Sequence, residues 1–356
     1  MNCIPVSDDS IKQAAKILRD GGLVAFPTET VYGLGADAYN PYALAKIFEV
    51  KNRPFFDPLI IHIAAIETLE EAADLSLLND GTRKKLFLLA KNLWPGPLSI
   101  ILPKSVKIPG IATAGLQTAA IRFPDSECAQ KLISLSGRAV AAPSANPFGS
   151  LSPTRAEHVL EKLGGKVDLI LDGGSTRIGL ESTVLDITSG NVRVLRPGGT
   201  PKEEIEKLIG PVWGPGTRDQ GLRIKDCGSG TGDQGLGTGN HLVSPGLLKS
   251  HYAPEASLSV FSKEEIVHQP YKTGVAFLFY DDQTKEIWQN SQKPPDLAFV
   301  KVLSASGEAL EAASHLFETL HSLDHGSISQ IFAQLAPNLG LGEAINDRLL
   351  RASAVK

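Results

Sequence analysis

Over residues 1–210, short apolar runs alternate with stretches of helical period. SDDSIKQAAKILRDGG predicts a capped helix, with Ser7 or Asp8 at its start and Gly21-Gly22 at its end. LVAFPT follows as a buried strand, and NPYALAKIFEVKNR as an amphipathic helix with Ala43, Ile47 and Val50 on one side. LIIHI, LSIILP, TAAIRF, RAVAAP, VDLILDGG, STVLDI and VRVLRPG are further strands. The last two flank Ser189-Gly190-Asn191, a hairpin signal. Strands that are sometimes adjacent and sometimes helix-separated predict a mixed sheet. Beyond residue 254, SLSVFS, GVAFLFY, AFVKVLS and SISQIFAQL predict strands, GEALEAASHLFETLHSL a helix between them, and EAINDRLLRASAV a closing helix. That alternation is the pattern of a smaller parallel α/β domain. No repeat of fixed period interrupts it.

Composition changes the picture at one place. Pro211 to Ser250 holds ten glycines in forty residues, and glycine loses the most entropy on ordering, so the segment predicts a linker or a ligand-ordered loop. It divides the chain into a first domain (1–210), a Gly-rich linker or lid (211–254) and a second domain (255–356). Hydrophobic residues at 42% and charged residues at 21% exclude global disorder. Cys3, Cys128 and Cys227 form no C-x-x-C pair, which argues against a disulfide framework or a thiolate zinc site and fits a reducing cytoplasm. The start of the chain lacks the apolar core of a signal peptide, and no apolar run approaches the length of a membrane span.

Charge excludes little but sets a scale. Residues 1–210 carry 23 basic and 23 acidic side chains, and residues 211–356 carry 12 and 16. Neither half has the basic surplus of a protein that grips nucleic acid through many phosphates. A small anion needs only a few placed cations.

Gly230-x-Gly232-x-x-Gly235 has the form of a dinucleotide fingerprint, but no apolar helical period follows it, so it is no cofactor site. There is no G-x-x-x-x-G-K-[ST], H-E-x-x-H or G-x-S-x-G. Candidate chemistry lies at strand ends instead. PTETVYGLGADA brings Thr28, Glu29, Thr30 and Tyr32 to the end of the first long strand. In KNRPFFDP, Pro54 pushes Arg53 towards an extended conformation, which would let Lys51 and Arg53 converge on one anion and face solvent or ligand. A solvated pair of cations at a helix end is the ordinary alternative. His62, inside LIIHI, has the setting of a core histidine. RAVAAPSANPFGSLSPT ends a small-residue strand with Ser144, Asn146 and Ser152, and TAAIRF supplies Thr118 and Arg122. GLESTVLDI supplies Glu181, Ser182 and Thr183, and VRVLRPGG supplies Arg196. Polar groups at successive strand ends suggest one shared crevice.

In this order, PTETVYGLG, K-x-R, PL-x-x-HI, WPGPLS, APSAN, ESTVLDI and LRPG resemble the YrdC-like family, over about residues 5–210. SPGLLKSHYAP (Ser244 to Pro254) and the domain beyond resemble its long, two-domain threonylcarbamoyl-adenylate synthase form. The resemblance implies an α/β fold: a twisted mixed sheet with a concave cavity, then a smaller Rossmann-like parallel domain. It implies a nucleotidyltransferase that joins ATP, L-threonine and bicarbonate or CO2 into L-threonylcarbamoyl-adenylate, releasing pyrophosphate. The product would pass to the tRNA threonylcarbamoyl-transfer machinery. Carried over by position, Thr30, His62, Arg122 and Ser182 resemble the threonine pocket, with Arg122 as bidentate partner of the substrate carboxylate. Arg53, Asp57, Thr118, Ser144, Ser152 and Arg196 resemble ATP contacts. Lys51 and Asn146 complete the K-x-R and S-x-N pairs, Lys51 and Arg53 being the catalytic cations, and His251 and Tyr252 reach back over the nucleotide. The family often has a small or amide residue where Asp57 stands, so an acid there needs magnesium, a ribose contact or an outward rotamer. Mg2+ is expected to arrive on ATP, since no carboxylate cage is evident. Two other readings remain. One is a double-stranded-RNA or tRNA-binding module, weakened by the net charge. The other is carbamoyl transfer from carbamoyl phosphate, weakened by the absence of acylphosphatase and zinc-finger sequences.

Overall fold

A computed structural model describes residues 3–189, 191–215 and 251–354. Most of the linker, with Gly230, Gly232, Gly235 and Cys227, lies outside the described residues. The first part of the chain runs β1 (Cys3–Pro5), α1 (Asp8–Arg19), β2 (Val24–Pro27), β3 (Tyr32–Asp37), α2 (Pro41–Lys51) and β4 (Ile60–His62). It continues through α3 (Leu69–Ala72), α4 (Asp80–Leu93), β5 (Leu98–Pro103), β6 (Thr118–Arg122), α5 (Glu127–Ser136) and β7 (Val140–Ala141). α6 (Ala156–Leu163), β8 (Leu169–Asp172), β9 (Thr183–Asp186), β10 (Arg193–Arg196) and α7 (Lys202–Ile209) complete it. The caps are local chemistry. Ser7 accepts from the Ser10 amide at 3.1 Å to open α1, and Gly21 leaves it at φ +79°. Asn40 caps α2, whose first residue is Pro41.

These strands form one mixed sheet in the order β1-β8-β2-β3-β7-β4-β6-β5-β9-β10. β9 and β10 are antiparallel, as the hairpin signal predicts. Residues directly paired across neighbouring strands share a face. Ile61, Ile100, Ile121 and Leu185 therefore enter the main core with α2 and α4 residues such as Ile47 and Leu86. The opposite face is covered differently along its length. Around β2 and β8, α1 and α5 pack Ile11, Leu18, Leu132 and Ile133 onto Val24, Phe26 and Leu169. Around β4, β6, β5 and β9, that face carries a small apolar floor of Ile60, Ile101, Ala120, Val184 and Leu195. The cavity described below lies on this part.

The second part contains β11 (Ser257–Phe261), α8 (Lys263–Ile266), β12 (Val275–Asp281), α9 (Asp282–Gln292) and β13 (Val300–Ser304), then α10 (Ala309–Leu323), β14 (Gln330–Gln334) and α11 (Leu341–Ser353). Its four strands are all parallel in the order β11-β14-β12-β13. Trp288 and Ile266 pack with Phe277, Phe279 and Phe332 on one face. α10 and α11 cover the other, and their core also takes in Val31, Leu151, Ile178, Leu180 and Tyr252 from outside this sheet. The contact is close at Gly179, where a Cβ would come within 2.6 Å of the Ala313 carbonyl oxygen. Only glycine tolerates that approach together with φ +74°.

Candidate active site

The site is a row across the sheet. His62 pairs with Val140 and with Arg122, Arg122 with Ser99, Ser99 with Val184, and Val184 with Arg196. A register shift between Val194 and Arg196 brings Arg196 into the row. Two-residue periodicity does the rest, since Ile60 and His62, and Ala120 and Arg122, face the same side. Loops close the walls: Thr30 and Val31 between β2 and β3, Ala142 to Ser144 after β7, Glu181 and Ser182 before β9, Arg53 after α2, and His251 with Tyr252.

Arginines dominate the walls, and each is buried. Arg122 lies 2.6 Å from Glu29, donates to the Thr30 hydroxyl at 3.0 Å and to the Gly96 carbonyl at 3.2 Å. Both Glu29 oxygens otherwise lack a hydrogen-bond partner among the described residues. Arg122 is thus no bare fork; a bidentate grip on a substrate carboxylate must share it with Glu29. Arg196 donates to the Ser182 carbonyl at 2.7 Å and approaches its hydroxyl at 3.3 Å, while Ser182 Oγ meets Ser99 Oγ at 2.8 Å. Arg53 pairs with Asp57 at 2.9 Å, donates to the carbonyls of Asp57 and Pro58, and lies 6.0 Å from the Phe148 ring centre. Burial raises the Asp57 carboxyl against the pull of Arg53, so each charge is compensated by the other.

Two histidines are held neutral. Burial, then Arg122, lowers His62 to about 3. Burial lowers His251 to about 3, with Arg53, Lys51 and Arg196 acting the same way against Glu181. Neither Nδ1 has a hydrogen-bond partner among the described residues. The His251 ring lies edge-on to Phe148 and Tyr252, and Tyr252 adopts the left-handed conformation at φ +61°. For Glu181, burial opposes ionisation, but Arg348, then Arg196 and the Ser152 hydroxyl, hold it below its usual range.

Of the expected site residues, Thr30, Arg53, His62, Arg122, Ser144, Ser182, Arg196, His251 and Tyr252 line the cavity. Lys51, Asp57, Thr118, Asn146 and Ser152 do not. Lys51 is the last residue of α2, and Asn52 turns left-handed at φ +50°, so the chain bends where an extended run was expected. Its ammonium donates to the backbone carbonyls of Ser144 and Asn146 and is buried away from solvent, outside the cavity lining. Asp57 turns to Arg53, Asn146 donates to Pro147 and Ser150 carbonyls, and Ser152 donates to Glu181. Thr118, partly exposed, begins β6 opposite Pro103, two residues before Ala120 on the same face. Arg348, absent from the expected set, enters from α11 to meet Glu181 at 2.8 Å. The signal was a charged residue between Ala344 and Ala352 on an otherwise apolar helix face.

Two family models match the chain: one described as Telomere recombination over residues 16–198, and one described as Threonylcarbamoyl-AMP synthase, C-terminal domain, over residues 200–354. The threonylcarbamoyl-AMP synthase of Pyrococcus abyssi is 41% identical over 99% of this chain and 96% of its own length. The chain belongs to the threonylcarbamoyl-AMP synthase family. The Bacillus subtilis member is 40% identical over 98% of this chain and 94% of its own. The crystal structure of P. abyssi Sua5 complexed with L-threonine superimposes with a TM-score of 0.79 at 37% identity, covering 99% of this chain and 96% of that one. The protein is accordingly an enzyme, of a family that forms an adenylate from ATP by nucleotidyl transfer. Among the described residues, no helix is long and apolar enough to cross a membrane.

Proposed function

We propose that this chain condenses ATP, L-threonine and bicarbonate or CO2 into L-threonylcarbamoyl-adenylate, releasing pyrophosphate and, from bicarbonate, water. The product would serve threonylcarbamoyl modification of adenosine in tRNA, with other proteins performing the transfer. One observation carries this reading: buried arginines 53, 122 and 196 line a single cavity whose described walls contain no hydroxyl paired with a basic histidine. That set suits anionic substrates and a reaction needing no enzyme nucleophile. The threonine ammonium loses a proton, and the free amine takes up CO2 as a carbamate with release of a second proton to solvent. A carbamate oxygen attacks the α-phosphorus while the bond to pyrophosphate breaks. Positioning and charge neutralisation are then the protein's contribution.

Arg122 and Glu29 offer one charge of each sign for zwitterionic threonine, and the P. abyssi relative, crystallised complexed with L-threonine, supports threonine as a substrate. Thr30, neutral His62 and Ser182 supply hydrogen bonds beside them. Arg53, Arg196 and Ser144, under His251 and Tyr252, would hold ATP. Magnesium would come with the triphosphate, liganded by phosphate oxygens and water, because the nearby carboxylates Asp57 and Glu181 are engaged by arginines. The walls leave about 50 Å3 of free space. Sites for drug-sized ligands run to roughly 300–1,000 Å3, so the walls must part to admit a nucleotide. The test is pyrophosphate release from ATP with mass detection of the adenylate. Release that depends on both threonine and bicarbonate supports the reaction; ATP turnover indifferent to either overturns it.

A further inference from the structure

We propose that Arg348 is a positioning residue through which the C-terminal sheet domain sets the electrostatics of the ATP side of the cavity. The proposal rests on the adenylate-forming reading above. The Arg348 side chain is fully buried on α11. Its Nε donates to Glu181 at 2.8 Å, and its Nη1 donates to the Pro197 carbonyl at 3.1 Å and to Asp347 at 2.6 Å. The guanidinium also lies 4.9 Å from the Tyr252 ring centre. Each contact outside its own helix is to a residue that lines the cavity or adjoins one that does: Glu181, Pro197 beside Arg196, and Tyr252.

Packing alone does not require an arginine here. Ala344, Ile345, Leu349 and Ala352 around it are buried and apolar, and a buried ion pair is weak evidence for stability because desolvation offsets attraction. What the guanidinium supplies is charge. Glu181 is a cavity-lining carboxylate on the same wall system as Arg53 and Arg196, the cations proposed for the triphosphate. Its oxygens are divided between Ser152 and Arg348. Without Arg348, an uncompensated anion would face the polyphosphate or draw the cavity arginines onto itself. Apolar neighbours dock the same loops: Val31 beside Thr30, Leu151 beside Ser152 and Leu180 beside Glu181 all sit in the core built by α10 and α11. Arg348 thus completes in charge what those residues do in position.

The test uses the full chain, with magnesium–ATP affinity followed by equilibrium titration and adenylate formation measured in parallel. Arg348→Met keeps the apolar stem and removes the charge; it should fold, with a lowered melting temperature because Glu181 is left buried without its partner. It should bind ATP about tenfold more weakly or worse, with threonine affinity little changed. Adding Glu181→Gln to Arg348→Met removes the stray anion and should restore most of the lost ATP affinity. The proposal is overturned if Arg348→Met leaves ATP affinity unchanged. It is equally overturned if affinity for both substrates falls in step with lost stability, or if the double variant is no better than the single one. A parent enzyme that binds ATP but makes no adenylate would instead sink the functional reading, so the two failures are distinct.

Discussion

The ammonium of Lys51 lies 2.5 Å from the carbonyl oxygen of Ser144, joining the end of α2 to the loop after β7 across 93 positions of the chain. A second donor reaches the Asn146 carbonyl. Burial, with Arg53 nearby, lowers the lysine well below its usual range, so these carbonyl contacts are what hold the buried amine in place. Lys51→Met should therefore act on folding first. Each buried carbonyl left without a donor costs about 1–3 kcal/mol. A clear fall in the urea midpoint is expected, with adenylate formation lost as the Ser144 loop loosens. Unchanged stability with reduced turnover would show instead that Lys51 meets the substrate.

Arg53 is expected to separate binding from folding less cleanly, because Asp57 depends on it. Arg53→Ala should cut adenylate formation at least about tenfold, since a charge-assisted contact is typically worth ~1.5–3 kcal/mol. It should also lower the melting temperature, as Asp57 is left buried and unpaired. Combining Arg53→Gln with Asp57→Asn should recover stability without recovering turnover. Recovery of both would mean that the guanidinium has no role with ATP.

How much of this was legible in the chain depends on the range of the contact. Alternation in LIIHI and TAAIRF is local, so the strands that carry His62 and Arg122 were readable, and the motif resemblance pointed to both as site residues. That these two stand side by side in one row depends on strand order, which no run of sequence encodes. Lys51 was misplaced because a single left-handed residue, Asn52, redirects the chain after α2. Asn adopts that conformation more readily than most residues, but nothing in KNRPFF requires it. Arg348 was missed because its partner lies 167 positions away on the other domain, and the docking of two domains is a tertiary fact. Its one local trace was a charge where the helix pattern wanted an apolar residue.

Threonine selectivity should follow from the hydroxyls and the neutral imidazole on one wall. Ser182 Oγ is already engaged by Ser99 Oγ, and Thr30 Oγ1 by Thr28 and Arg122, so this wall is a buried, preformed hydrogen-bonding network. An analogue without the hydroxyl leaves the buried His62 Nδ1, which has no hydrogen-bond partner among the described residues, unpaired, and is rejected on that account. Turnover should be highest for threonine, lower for serine, which loses the methyl contact, and much lower for 2-aminobutyrate. Glu29→Gln should weaken threonine binding while leaving ATP binding near that of the parent. Equal turnover of the three amino acids would count against placing threonine beside His62 and Ser182.

Acid stability should report the buried histidines. His62 and His251 are both lowered to about 3, chiefly by burial, from an ordinary value near 6.5. Between those limits the unfolded chain binds a proton at each that the folded chain does not. Stability from these groups is therefore complete above about pH 6.5 and is lost progressively as pH falls towards the folded values, at about 1.4 kcal/mol per pH unit for each histidine. His158 and His321, stacked 3.9 Å apart and each lowered to about 4, contribute with the same sign. Glu181, whose carboxyl is held low, loses its contribution only at more acidic pH, and the raised Asp57 carboxyl is common to parent and variant, so between about pH 6.5 and 5 their difference reports His251. Replacing His251 by Phe removes one titrating group while keeping an aromatic ring against Phe148. The parent should lose about 2 kcal/mol more than the His251→Phe variant across that window, read from urea midpoints at several pH values. Parallel stability curves for the two proteins would show that His251 is hydrated in solution, and the neutral imidazole over the cavity would have to be abandoned.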